Sequence, residues 1–436
     1  MKSKTIPTAI QGKYSGYSPN GPILISEEPI QIKNDQEQVD GKANIYLEFL
    51  PSVRVQAHVD FSEELKGQLR GIDFLDDSFK FIVNTRLSSD WAIVRNLPNL
   101  VATLFNDETI TPSSMSYVVF HILNFDSYVG SPVEHALLGS AGRLELPANG
   151  WKITIDDTPT TSSSIKELKA VGGYAITHVG KLERENGQSF TQGEGETILG
   201  HLLHFLSFVR GFWTPPILPV GYNANDEEVW EKWKTSFNHR WEDFHSWLPN
   251  NVLAASEFLP SLFKRFMQYM ADPDWERALT TAIYWYIECN TLKNANGEII
   301  LGQAALELLS WMFVVNEKKN LTHETFAKIR DDDKVRLMLS QLGIPLDIPK
   351  ELSHLNKYAK ANNLQDGPHV TTHMRHTFVH PPRKQKNFKY PDGRVVVEAS
   401  LLQLWYVELT LLYLFGHQGE YSSRVHGRNV LVPWTN

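Results

Sequence analysis

The period of the hydrophobic pattern changes once along this chain, near residue 190, and that change limits the fold more than any other feature. Up to about Phe190, apolar and polar residues alternate in NIYLEFL, VRVQAHVDF, FKFIVN, SYVVFHIL, RLELPANGWKITID and GGYAITHVGKLE. A period of two places one side of a strand inside and the other outside. Turn formers (NGP, DD, LPN, ANG, ENG) separate the runs. Many short strands with regular turn signals predict a β-rich domain of sandwich or barrel-like form. The composition of TIDDTPTTSSSIK predicts a loop within it.

Beyond Gln192 the spacing becomes helical. In EGETILGHLLHFLSFVRGFW the apolar positions are Ile198, Leu199, Leu202, Leu203, Phe205, Leu206 and Val209, and TPPILP stops the helix. LPVGYNANDEEVWEKW reads as extended, and Trp230, Trp233, Trp241 and Trp247 read as core residues rather than ligand platforms. From Asp272 almost everything is helix. Asp272 is placed to cap DPDWERALTTAIYWYIECNT, with Pro273 at its first position. GEIILGQAALELLSWMFVVNEKK is a second helix and THETFAKIRDDDKVRLMLSQLG a third, closing at Gly343. A fourth runs to Pro381 and a fifth from about Val396 to Phe415, with Glu398, Gln403 and Glu408 marking the last as a core helix rather than a membrane span. The tail beyond it reads as irregular. The expectation is a multi-domain α+β chain: a β-rich domain over 1–190, a helical, Trp-rich bridging segment over 191–268, and an all-α bundle over 269–436.

Composition narrows the function classes. The chain has 436 residues, more than one ordinary domain needs. A formal charge of -8 argues against uniform nucleic-acid affinity but leaves room for a local basic patch. The single cysteine, Cys289, excludes an intrachain disulfide and a cysteine-based zinc site; within YWYIECNT it reads as a buried thiol. MKSKTIPTAI lacks the apolar stretch of a signal peptide, so the cytoplasm is the expected compartment. Phosphate-loop, dinucleotide, HExxH and GxSxG signatures are absent. Asp331, Asp332 and Asp333 read as mid-helix and, flanked by Arg330, Lys334 and Arg336, as a salt-bridged face rather than a divalent-ion site.

The positive feature is THMRHTFVHPPRK. His369, His373, His376 and His380 are spaced 4, 3, 4, which on a helix is one stripe about 60° wide. Imidazoles at i and i+4 can share a metal ion, although no third ligand is evident. Arg375 and His380 can instead serve RNA cleavage without metal: a base takes the 2′-hydroxyl proton, an acid protonates the leaving 5′-oxygen, and a cation steadies the phosphate. Histidine suits the proton steps because its ordinary pKa lies near neutrality. Arg240 and His245 repeat the spacing but enclose Glu242 and Asp243, whereas Arg375 and His380 lead into Arg383, Lys384, Lys386 and Lys389. Between 355 and 395 there are eight Lys/Arg against two Asp/Glu, an electrostatic footprint for a phosphate backbone. Five residues of helix turn the two side chains about 140° apart. They converge only if Pro381 opens the last turn at His380 or a two-fold partner supplies a second copy.

Arg375-His376-Thr377-Phe378-Val379-His380, late in a helical domain and followed by proline, resembles the motif of HEPN domains, Arg-x4-6-His with a polar residue after the arginine. The resemblance covers about residues 270–436; a β-rich region before such a domain resembles, in architecture only, the Apea-type proteins of phage defence. It implies a metal-independent endoribonuclease that needs no cofactor, works as a homodimer, acts on tRNA or mRNA and leaves a 2′,3′-cyclic phosphate. His380 would then act in proton transfer, Arg375 would hold phosphate, His376 would contact substrate, and Arg383, Lys384, Lys386 and Lys389 would bind RNA. The β-rich region would be a sensor for a phage-derived or cellular trigger. Some such domains only bind RNA or protein, and that remains the alternative.

Overall fold

The computed structural model describes residues 6–14, 18–27, 29–33, 38–60, 79–83, 87–96, 99–109, 114–135, 139–234, 237–249, 255–380 and 390–435. The chain forms a mixed α+β protein of two compact units, with a β-rich N-terminal region and a helical C-terminal region. The first unit comprises Met1–Leu203, Thr214–Glu242 and Ala254–Ser256, the second His204–Trp213, Asp243–Leu253 and Glu257–Asn436.

The first unit holds two seven-stranded antiparallel sheets. One takes β1 (Ile23–Ser26), β2 (Pro29–Lys33), β3 (Gln38–Glu48), β4 (Arg54–Asp60), β5 (Phe79–Val83), β6 (Leu87–Asn96) and β7 (Asn99–Thr109), ordered β1-β3-β2-β5-β6-β7-β4. β3 also pairs with β4, from Lys42 opposite Asp60 to Glu48 opposite Arg54, so every strand but β1 joins a closed ring. Closure is the barrel solution to unpaired strand edges.

The chain continues through β8 (Ser114–Met115), β9 (Tyr117–Leu123), β10 (Ser131–Glu134), β11 (Gly139–Ala148), β12 (Trp151–Asp157), α1 (Thr161–Val171), β13 (Ile176–Arg184), β14 (Phe190–Thr191), α2 (Gln192–Arg210), β15 (Pro216–Tyr222) and β16 (Glu228–Glu231). The second sheet is ordered β10-β11-β12-β13-β9-β15-β16. β13 is its middle strand, and the neighbouring β9 is buried almost throughout. Ile23, Ile45, Leu47, Val55 and Ala57 of the first sheet share one core with Leu123, Ile217 and Val220 of the second. The stretch read as loop, TIDDTPTTSSSIK, holds the start of helix α1 instead. Thr161, Ser164, Ile165 and Leu168 form its buried face. That spacing is helical, but hydroxyl residues occupy half of it, so hydropathy conceals it.

The second unit contains α3 (Ala255–Met270), α4 (Pro273–Thr291), α5 (Ala295–Trp311), α6 (His323–Lys328), α7 (Asp331–Gln341), α8 (Ser353–Ala361), α9 (Gly367–Val379), α10 (Gly393–Leu414), β17 (Glu420–Ser423) and β18 (Arg428–Leu431). Asp272 caps α4, its carboxylate accepting from the amides of Asp274 and Trp275. α5 runs on into a π-helical turn, Met312–Glu317, and lies against α4, α7, α9 and α10. Buried polar bonds tie these helices: Gln303 Nε2 donates to Thr372 Oγ1 at 3.2 Å, and Gln403 Nε2 to Gln303 Oε1 at 3.0 Å. By length and composition α10 and the span Ala295–Glu317 could cross a membrane, but α10 is packed along most of its length inside this unit.

Two expectations for this unit are corrected. The third helix is two helices, because the backbone extends at Ile329 and Arg330. The three aspartates are therefore the first turn of α7 rather than its middle, where the helix dipole favours carboxylates. Gly343 does follow α7 in the left-handed region, at φ 69°. The tail is not irregular: β17 and β18 form a hairpin pinned to α10 by Arg424, whose Nε donates to buried Glu408 at 2.9 Å.

Candidate functional site

Helix α9 carries the motif, and its start is fixed in three ways. Asp366 caps it, accepting from the His369 amide at 2.9 Å. The same carboxylate receives two Arg336 donors from α7, Nε at 2.6 Å and Nη2 at 3.0 Å. Gly367 lies on Tyr406 of α10 so closely that a Cβ would enter the tyrosine hydroxyl. Further along, His376 Nε2 stands 3.6 Å from Asp331 Oδ2, at the start of α7. The two helices thus run antiparallel, joined near the two ends of α9 to the middle and the start of α7.

Between those joints lies a cleft of about 400 Å³, with Arg330, Asp331 and Asp332 on one wall and His369, Thr372, His373 and His376 on the other. Charge on the acidic wall is unequally satisfied. Asp332 is buried and takes Arg330 and Arg336. Asp331 takes Lys334 Nζ at 2.9 Å on Oδ1, leaving Oδ2 facing His376. Although partial burial opposes its ionisation, the bond and charge of Lys334, with His376 and Arg375 beyond, hold its carboxyl below the ordinary aspartate value. On the imidazole wall, burial chiefly, then the neighbouring His369 and His376, lower the pKa of His373. Its Nε2 meets the Tyr358 hydroxyl at 3.2 Å.

The three catalytic candidates lie at the end of α9. Arg375 is half-buried and forms no hydrogen bond or ion pair among the described residues, so its guanidinium donors are open to an anion. His376 is exposed. His380 is exposed and has left the helix, with φ -128° and ψ 68°. Its ring lies 6.0 Å from that of His376, centroid to centroid. The opening of the last turn expected from Pro381 is therefore present at His380. It means that His380 is not a fourth member of the cleft: the stripe holds for His369, His373 and His376 only. Arg383, Lys384, Lys386 and Lys389 lie outside the described residues.

His369 and His373 entered the sequence reading only through the metal alternative and had no catalytic role, yet they line the cleft beside His376 on the helix face they share. Asp331 had none, because its approach depends on how α7 packs against α9. Among the described residues no three His, Cys, Asp or Glu side chains are arranged to hold a metal ion. The second Arg-x4-His copy is structural. Arg240 Nη2 donates to the Val171 carbonyl in the first unit, and His245 meets the Ser422 carbonyl at 3.1 Å in the second.

No solved structure matches this chain. Residues 272–433 match the family model of the YopA C-terminal domain, and residues 111–244 that of the YopA central domain. Over 447 residues, 98% of each chain, the sequence is 27% identical to the SPbeta prophage-derived uncharacterized protein YopA of Bacillus subtilis (strain 168).

Proposed function

We propose that the helical unit is a metal-independent endoribonuclease of HEPN type, acting in the cytoplasm as a homodimer under control of the β-rich unit. The observation that carries this reading is the end of α9: Arg375 has no partner among the described residues, and the rings of the exposed His376 and of His380, released from helical geometry, lie 6.0 Å apart. In this chemistry one imidazole removes the 2′-hydroxyl proton, the 2′-oxygen attacks phosphorus, and the 5′-oxygen leaves with a proton from a second acid. A 2′,3′-cyclic phosphate and a 5′-hydroxyl result. Arg375 offers its planar donors to the phosphoryl oxygens, His380 transfers protons, and His376 contacts the substrate. Arg383, Lys384, Lys386 and Lys389 add the sequence-independent attraction to RNA.

Similarity to a prophage-derived protein fits a growth-arresting effector in conflicts between phages and hosts, with a phage-derived or cellular trigger read by the β-rich unit. A non-catalytic RNA- or protein-binding module is the second reading. The Asp331 carboxylate near His376 favours it, because that charge opposes a phosphate there. One experiment separates the two: His380→Ala should retain RNA binding and lose cleavage if the unit is an enzyme. A wild type that binds RNA without cleaving it, whatever trigger is supplied, would leave the binding module standing.

A further inference from the structure

We propose that the cleft between α7 and α9 is a base-recognition subsite that selects guanine, placed beside the phosphate group held by Arg375; this rests on the nuclease reading for its place in RNA cleavage, but not for its ligand. Charge sorts the parts of a nucleotide between the two positions. Asp332 is neutralised by its arginines, but Asp331 Oδ2 faces the cleft without a hydrogen-bond donor among the described residues, so a phosphate at that oxygen meets like charge, whereas an uncharged base does not. The phosphate is drawn instead to the open guanidinium of Arg375 and to the exposed imidazoles at the end of the helix.

The donors and acceptors in the cleft then choose the base. Asp331 Oδ2 has no hydrogen-bond donor within the described residues and stands 3.6 Å from the His376 ring nitrogen. A carboxylate kept ionised accepts N–H groups only, and guanine is the base whose Watson–Crick edge offers two adjacent donors, N1–H and N2–H. The cleft also holds donors for the guanine O6 and N7, one on each wall. His369 Nδ1 accepts the Gln365 amide at 3.2 Å, which leaves its Nε2–H as the free ring donor. Arg330 is held by Asp332 through Nε and Nη2, so its Nη1 remains open. His373, half-buried and steadied by Tyr358, supplies a flat ring of the kind on which bases stack. A volume of about 400 Å³ is that of a small-molecule site.

The test is equilibrium binding of 3′-GMP, 3′-AMP, 3′-CMP and 3′-UMP to the full chain, which requires no turnover. Wild type should favour 3′-GMP by about tenfold or more, the discrimination of one good bidentate base contact. Asp331→Asn should abolish the preference with the far-ultraviolet spectrum unchanged. His369→Phe, which keeps a ring but removes the donor, should reduce it. His380→Ala should keep it, so a failure of the nuclease reading leaves this result intact. The dinucleotide GpU binding more tightly than 5′-GMP identifies guanine within RNA as the source; the reverse order identifies a free guanine nucleotide. Equal affinity for the four nucleotides, or a preference for guanine that Asp331→Asn and His369→Phe both leave unchanged, would overturn the assignment.

Discussion

Acid should loosen the β-rich unit through two histidines in the middle of the second sheet. His121 on β9 and His178 on β13 are wholly buried. Burial drives the first down to about 4 and the second to about 3. His121 Nε2 accepts the Tyr14 amide at 3.2 Å, so it must be unprotonated for that bond to exist. His178 is stacked on Tyr128 at 5.2 Å with no hydrogen-bond partner for its Nε2 among the described residues. Because the folded values lie below the unfolded one of about 6.5, the unfolded chain binds protons first and stability falls as pH drops. At pH 5 the unfolded sites are protonated and the folded ones are not. The gap of about 1.5 pH units costs about 2 kcal/mol per histidine, or about 4 kcal/mol together. Urea unfolding at pH 7.5, 6 and 5, read by hydrogen-exchange pulses at one labelling pH on peptides covering β9 and β13, measures this. His178→Phe should remove about half of the pH dependence. A stability that stays level from pH 6 to pH 5, or a pH dependence that His178→Phe leaves intact, would refute the reasoning.

Glu408→Gln should cost about 3–5 kcal/mol in the helical unit, because it leaves Arg424 buried without its counter-charge; thermal unfolding reads the loss, and replacing both residues by methionine should restore most of it. Asp272→Ala should cost about 1 kcal/mol by removing the cap of α4, seen in the same melts. Gly367→Ala should cost about 1–3 kcal/mol, since the methyl group must push α9 off Tyr406, and should weaken 3′-GMP binding as the cleft deforms. Lys384→Glu and Lys386→Glu should each lower RNA affinity for all sequences and reduce the slope of log affinity against log salt by about 1, measured by filter binding across a salt series.

Legibility in the sequence followed the range of the interaction concerned. Period and capping are local, so the strands before residue 190, the helix that follows at Gln192–Arg210, the Asp272 cap and the Gly343 stop could all be read from neighbours in the chain, whereas the return of β15 and β16 to the second sheet could not. Trp230, Trp233, Trp241 and Trp247 are buried, as expected of tryptophans read as core residues, although charged neighbours surround them in sequence. Helix α1 was missed because Thr161 and Ser164 take core positions through hydroxyl bonds rather than through hydropathy; Thr161 Oγ1 donates to the Thr177 carbonyl. The break before α7 escaped because nothing in KIRDDDKVR forbids a continuous helix. Arg336 bonds to Asp366 across 30 positions, and no local pattern encodes that. The site divides the same way. The arginine and histidines of α9 are visible as a spacing, and the turn at Pro381 as a steric rule. The cleft exists only once α7 is laid along α9, so Asp331 could not be found without the fold.

The measurement closest to the central claim is cleavage of total cellular RNA by purified full-length protein in EDTA, comparing wild type with Arg375→Ala and His380→Ala. The account predicts fragments ending in 2′,3′-cyclic phosphate from the wild type and none from either variant, with RNA binding retained by His380→Ala. Cleavage that persists in both variants, or that appears only when a divalent metal is restored, would contradict it.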